Sequence, residues 1–201
     1  MYPIEPQSIT ALILCGGQAL RMGGQDKGLI LLKDKPLVEW TIQHCQEQVG
    51  AIMINANRHL DLYQALKLPT YPDLSNDFKG PLAGFQVGLT YAQSPYVLIL
   101  PCDTPCFPKD LVEKLANAMV QQQVDCAYPF TLEDGQEQPH PVFCLLKKSL
   151  LDSLNEFLAG GQRKIDRWLT AQKHVKVQFD EPSNFLNINT PEELKQIEQL
   201  L

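Results

Sequence analysis

No apolar run in these 201 residues approaches the ~20 that a membrane-spanning helix needs, so no bilayer-spanning segment is expected. Met1–Ser8 holds no positive side chain and no signal-like apolar segment, and no secretory leader is expected either. Positive charge is also scarce: 17 Lys and Arg stand against 23 Asp and Glu, for a net charge of −6. That balance argues against general nucleic-acid binding, which relies on a basic surface to displace counterions. The six cysteines (15, 45, 102, 106, 126 and 144) lack zinc-type spacing; Cys102 and Cys106 merely flank Asp103-Thr104-Pro105. Several sit in apolar runs, where free Cys behaves as a small hydrophobe, so reduced core thiols in a cytoplasmic protein are expected. No local motif suggests a Ser-His-Asp or Cys-His nucleophile. Repeats, low-complexity tracts and linkers are missing too. Composition is that of an ordinary globular protein, 44% apolar and 20% charged, and one domain is the default at this length.

What is present is concentrated near the N-terminus. The apolar run Ala11–Leu14 breaks at Gly16-Gly17, and Gly23 and Gly24 follow, with Arg21 and Lys27 as the only cations of the loop. Glycine lets backbone N–H groups approach an anion closely, and two cationic side chains can neutralise one. The stretch reads as a phosphate cradle at a strand end. It is not a Walker loop, because Lys27 lies between Asp26 and Gly28, and no window fits G-x-G-x-x-G.

Strand and helix signals alternate along the first half. Strands are expected at Thr10–Leu14, Ala51–Ala56, Thr70–Pro72 and Tyr96–Leu100. Helices are expected from Pro36 to Gln48, Leu60 to Lys67, Pro81 to Gln93, and Pro108 into the glutamines at 121–123. In the second half, Asp125–Phe130 and Pro141–Leu146 flank the polar segment Thr131–His140. They read as a wide hairpin antiparallel to the main sheet. Helices follow at Lys148–Ala159 and Lys164–Gln172, then a half-buried edge strand at His174–Phe179. A capping box at Thr190-Pro191-Glu192-Glu193 opens the last helix. The pattern implies a three-layer α/β domain spanning 1–201, with a nucleotide half (about 1–107) and an acceptor half (about 108–201).

Leu98-Ile-Leu-Pro-Cys-Asp103-Thr-Pro105 is the second informative stretch: a buried strand ending in a carboxylate. Ligands of open α/β sheets gather at the carboxyl ends of strands, which places Asp103 on the same rim as the glycine loop. A carboxylate beside a triphosphate repels it unless a divalent cation lies between. Mg²⁺ accepts one or two carboxylates plus substrate phosphates, so Asp103 is its candidate ligand. Asn55-Ala-Asn57-Arg58 follows the second strand, and Asn55 offers both a donor and an acceptor to a ribose or base edge. Asn57 and Arg58 suit a helix cap equally well. Asp73 can accept both N1–H and N2–H₂ of guanine, and is also an ordinary turn residue. Gly80 and Gly84 flank a helix start where backbone could approach a nucleotide. Asn187 and Asn189, spaced by two on an extended segment, face the same side. His140, Arg163 and Lys164 receive no role.

Leu14-x-Gly-Gly-x-x-x-Arg-Met-Gly-Gly-x-Asp-Lys-Gly-Leu29 resembles the nucleotidyltransferases that join a nucleoside triphosphate to a phosphorylated acceptor, and most of all the molybdenum cofactor guanylyltransferase family. The resemblance runs from Leu12 to about Leu194 and is most specific at 14–29, 80–84, 101–105 and 187–194. Cys15 departs from the alanine more usual in the family; the useful group there is expected to be the backbone N–H. The resemblance implies a Rossmann-like nucleotidyltransferase fold with a mostly parallel sheet and an antiparallel portion. It implies that GTP and molybdenum-molybdopterin are joined into the guanine dinucleotide cofactor with release of pyrophosphate. Nucleotide contacts are implied for Leu14, Cys15, Gly16, Gly17, Lys27, Asn55, Asp73 and Asp103. Lys27, Arg21 and Asp103 are the implied catalytic groups, with Mg²⁺ on Asp103; Asn187 and Asn189 are implied either as acceptor contacts or, for Asn187, as a member of the metal shell. Molybdenum insertion proteins and apo-molybdoenzymes are the implied partners. Cytidylyl or sugar-phosphate nucleotidyl transfer, and a non-catalytic nucleotide-binding regulator, remain the alternatives.

Overall fold

The computed structural model describes residues 3–15, 26–75 and 80–200, with residues 199 and 200 described by backbone alone. Three apolar runs build its centre. β1 (Ile9–Leu14), β4 (Ala51–Asn55) and β6 (Tyr96–Pro101) pair in parallel, with Leu14 opposite both Asn55 and Pro101. Strands buried on both faces read as continuous hydrophobic runs, which is why these were plain in the sequence. Their common register brings three carboxyl ends to one rim.

β5 (Thr70–Tyr71) extends the sheet parallel to β4. On the other side, β9 (Cys144–Lys147) pairs antiparallel with both β6 and β7 (Cys126–Glu133), and β10 (His174–Gln178) lies parallel to β7 at the edge. The expected wide hairpin is present as the antiparallel β7–β9 pair, but its direction is corrected: only one of its two strands opposes the main sheet. Because β9 inserts between β6 and β7, β7 runs in the direction of the main sheet and β9 opposes both its neighbours. The polar segment forms its own hairpin, in which β8 (Gln136–Pro139) pairs with the end of β7 through an Asp134-Gly135 turn, both residues at positive φ. A two-stranded ribbon, β2 (Leu31–Leu32) with β3 (Lys35–Pro36), had no counterpart among the expected elements.

Alternation along the strands divides the core. Ile9, Ala11 and Ile13 of β1 face α1 (Leu37–Cys45), α2 (Leu60–Gln64) and α4 (Leu111–Gln122). Leu12 faces α3 (Pro81–Tyr91), α5 (Leu151–Ala159) and α6 (Ile165–Thr170). Helix α4 begins at Leu111 rather than Pro108. A smaller cluster, Ile30, Leu32, Leu37, Ile188 and Ile197, docks α7 (Pro191–Leu200) against α1 and β2. The α/β class and the mixed, mostly parallel sheet are as expected.

Candidate active site

Chain segments far apart in sequence meet at the carboxyl rim. Lys27 opens a 3₁₀ turn (Lys27–Leu29), and its Nζ donates to Asp103 Oδ2 at 2.9 Å and to Asn189 Oδ1 at 2.5 Å. Asp103 lies just past β6 in the turn that follows it. The segment bearing Asn187 and Asn189 is tied to that turn: Ile188 N donates to Asp103 O at 2.8 Å, and Thr104 Oγ1 donates to Asn187 Oδ1 at 2.5 Å. Both asparagines therefore face the rim. The capping box steadies Asn189. Glu193 Oε2 accepts from the backbone N–H of Asn189 at 2.6 Å and of Thr190 at 2.9 Å, while Glu193 N donates to Thr190 Oγ1.

A second constellation forms beside β4 and β5. Asn55, 3% exposed, donates through Nδ2 to Tyr71 O at 3.2 Å and to Asp73 Oδ1 at 3.0 Å. Asn57 donates to Asp73 Oδ2 and accepts from Asp73 N, so both carboxylate oxygens are fixed. Asn57 is thus no helix cap; the residue at the start of α2 is His59 in the left-handed conformation. Gly84 is required by packing from within. A Cβ there would lie 2.3 Å from Leu14 Cδ2 and 2.7 Å from Asn55 Oδ1. The missing side chain lets α3 approach Leu14 and Asn55 closely. Gly80, at φ +64°, precedes α3 with open space around it.

One expectation is corrected at Cys15. Its backbone N–H is consumed in the sheet, donating to Asn55 O at 2.8 Å, because Cys15 continues the β1 ladder. Its thiol is buried beside Cys102. Hydrogen bonding to Cys15, then burial, pushes the Cys102 thiol well above its ordinary range, so it is a core thiol and not a poised nucleophile. Gly16, Gly17 and Arg21 lie outside the described residues. In the other half, Arg163 spends its guanidinium on Leu158 O and Gln162 O at the end of α5. His140 stacks on Phe185 and pairs through Nε2 with Thr131 Oγ1.

The support of Lys27 is not among the residues expected from the sequence. Asp26 is 6% exposed, and its Oδ1 accepts from Gly28 N at 3.2 Å and from the buried Tyr63 hydroxyl at 2.5 Å. The available signal was the acidic residue directly before the cation. Among the described residues, no group of three or more His, Cys, Asp or Glu side chains could hold a metal by itself. The oxygen groups that could contribute to holding a metal at this rim are the Asp103 carboxylate and the amide oxygens of Asn187 and Asn189, which now accept from Thr104 and Lys27. Among the described residues, no helix is long and apolar enough to cross a membrane.

A rim bearing a cation, a carboxylate and, at Asp73, a second carboxylate held in one orientation suits a nucleotide and its phosphates. Residues 11–176 match the MobA-like NTP transferase domain, so the chain is a nucleotidyltransferase. It is 48% identical over 198 residues to the molybdenum cofactor guanylyltransferase of Polynucleobacter asymbioticus, covering 98% of this chain and 100% of the relative. It is 47% identical to that of Bordetella petrii, covering 96% and 99%. The solved molybdopterin-guanine dinucleotide biosynthesis protein A of Archaeoglobus fulgidus, 24% identical, shares the fold with a TM-score of 0.76 over 95% of this chain and 97% of that one. The chain belongs to the molybdenum cofactor guanylyltransferase family.

Proposed function

We propose that this enzyme transfers GMP from GTP to molybdenum-molybdopterin, forming the guanine dinucleotide cofactor and pyrophosphate. The observation that carries the reading is the meeting of Lys27, Asp103 and Asn189 at the rim where β1 and β6 end. The terminal phosphate of the acceptor is already anionic near neutral pH, so no general base is needed for in-line attack on the α-phosphorus. Lys27, with Arg21 and the N–H groups of Gly16 and Gly17, neutralises charge on the triphosphate and on departing pyrophosphate. Asp73, held by Asn55 and Asn57, accepts the N1–H and N2–H₂ of guanine. Leu14 and Cys15 form the strand end beneath the nucleotide, and Asn187 and Asn189 bind the acceptor.

The donor set fits Mg²⁺: one carboxylate, oxygen-bearing amides nearby, and an ammonium now seated at 2.9 Å from Asp103 Oδ2, where a cation is evidently accepted. Asp103 would hold the ion, which when bound would supply positive charge against the phosphates of the substrate. The two halves, about 1–107 and 108–201, act as one domain around this rim, in a reducing cytoplasm. The product passes to molybdenum insertion proteins or apo-molybdoenzymes.

Pyrophosphate release from purified protein with molybdenum-molybdopterin and each of GTP, CTP, ATP and UTP tests the reading. Release with GTP, lost by orders of magnitude in Lys27→Ala and Asp103→Ala, is expected. Wild-type rates in both variants, or a preference for CTP, would overturn it.

A further inference from the structure

The rim exposes Lys27 to ligand, yet the turn that bears it is fastened from beneath. Asp26 is the N-terminal cap of that turn, accepting from Gly28 N, and its main-chain carbonyl accepts from Leu29 N at 3.1 Å. The same carboxylate oxygen receives the hydroxyl of Tyr63, which is wholly buried on α2, 37 residues further along the chain. Gly28 leaves no slack in this arrangement: a Cβ there would lie 2.5 Å from Tyr63 Oη and 3.2 Å from Cys15 Sγ. Burial first, with the neighbouring acidic groups behind it, pushes the Tyr63 phenol above its ordinary range, so it stays a donor at any working pH. A carboxylate placed near a triphosphate site, nearly without solvent, opposes ligand charge. Its presence calls for a compensating task, and its two partners lie on the phosphate turn and on the helix that follows the base-side loop.

We infer that Asp26, bonded to Tyr63, is a positioning residue that fixes the Lys27 turn to α2 and thereby aims the lysine at the reacting phosphates. The inference rests on the reading of Lys27 given above. Asp26 touches neither substrate nor metal and acts through its neighbour. A lysine displaced by about 1 Å costs on the order of 10- to 100-fold in rate.

The test is a mutant cycle on the full chain, read by single-turnover GMP transfer, KM for GTP and thermal unfolding. Asp26→Ala is expected to lower kcat 10- to 100-fold with KM for GTP little changed. Asp26→Asn, which keeps the acceptor oxygen, restores most of that loss. Tyr63→Phe, a gentler change should Asp26→Ala not fold, lowers kcat severalfold. In a Lys27→Ala background, Asp26→Ala and Tyr63→Phe produce no further loss. Folded Asp26→Ala or Tyr63→Phe proteins with wild-type kcat overturn the inference. So does a loss that multiplies fully with that of Lys27→Ala, because Asp26 would then act independently of the lysine. The Lys27→Ala variant alone decides the underlying reading: wild-type turnover there removes the role of Lys27, whatever the Asp26 variants do.

Discussion

Asn57 and Asp73 hold one another by a reciprocal pair of hydrogen bonds: Asn57 Nδ2 donates to Asp73 Oδ2 at 2.9 Å, and Asp73 N donates to Asn57 Oδ1 at 2.8 Å. With Asn55 on the other oxygen, the carboxylate has one orientation before any nucleotide arrives. Guanine presents two adjacent donors, and a carboxylate meets both only when its plane is set. Replacing Asn57 by Ala removes both bonds of the pair, of which the one to the carboxylate alone is worth about 1.5 kcal/mol or roughly tenfold in affinity. The expected result is a rise in KM for GTP with kcat kept. Inosine triphosphate lacks the 2-amino group and is expected to suffer less. Equal losses for the two nucleotides would mean that the variant merely damages the loop.

Gly84 carries a second prediction. An alanine methyl would be driven against Leu14 Cδ2 and Asn55 Oδ1, both held by the sheet. Overpacking of this kind costs about 1–3 kcal/mol. Gly84→Ala is therefore expected to lower the urea midpoint and to weaken GTP binding together, since Asn55 cannot yield without moving Asp73. An unchanged midpoint measured by circular dichroism would show that α3 shifts freely.

For Asp103, stability and activity are expected to separate. The ion pair with Lys27 is partly exposed, with side chains at 27% and 16%, so its contribution to stability is at most about 1 kcal/mol. Asp103→Ala should unfold within a few degrees of the wild type while turnover falls by about 100-fold or more. Chelation of Mg²⁺ should silence the wild type and leave the residual rate of the variant nearly unchanged. A variant as sensitive to chelation as the wild type would place the metal elsewhere.

Much of this arrangement was legible because of where the residues sit on strands. β1, β4 and β6 are buried on both faces and announce themselves as apolar runs, and the rule that ligands gather at strand ends by itself places Lys27 and Asp103 on one rim. The β7–β8 hairpin escaped notice because β8 is exposed throughout and so has no alternating apolar face. The Asp134-Gly135 pair was the local signal available. The direction of β7 depends on β9 inserting beside β6, a long-range pairing that no local pattern encodes. Cys15 was misjudged because its N–H looks free at a strand end, yet the ladder continues one residue further. The Asp26–Tyr63 contact joins a glycine loop to an ordinary amphipathic helix, and neither partner marks the other in sequence.

His140 provides a pH-dependent prediction. Burial lowers its pKa from the ordinary 6.5, and the ring is stacked on Phe185 and bonded through Nε2 to the buried Thr131 hydroxyl. In the unfolded chain the ring takes a proton near its ordinary value, whereas the folded ring resists. The unfolded state therefore binds more protons between the two values, and stability falls as pH drops below about 6.5 and levels off beneath the folded pKa. His140→Gln keeps a hydrogen-bonding group but cannot titrate. Chemical denaturation of wild type and variant from pH 5 to 8 should give a stability difference that is flat in the upper part of that range and shifts in the variant's favour toward the acid end, as expected for a half-buried His whose pKa is lowered. Because Phe185 leads directly into the segment bearing Asn187 and Asn189, the same acid range should loosen acceptor binding in the wild type. A stability difference independent of pH would mean that His140 takes its proton inside the fold as readily as outside it.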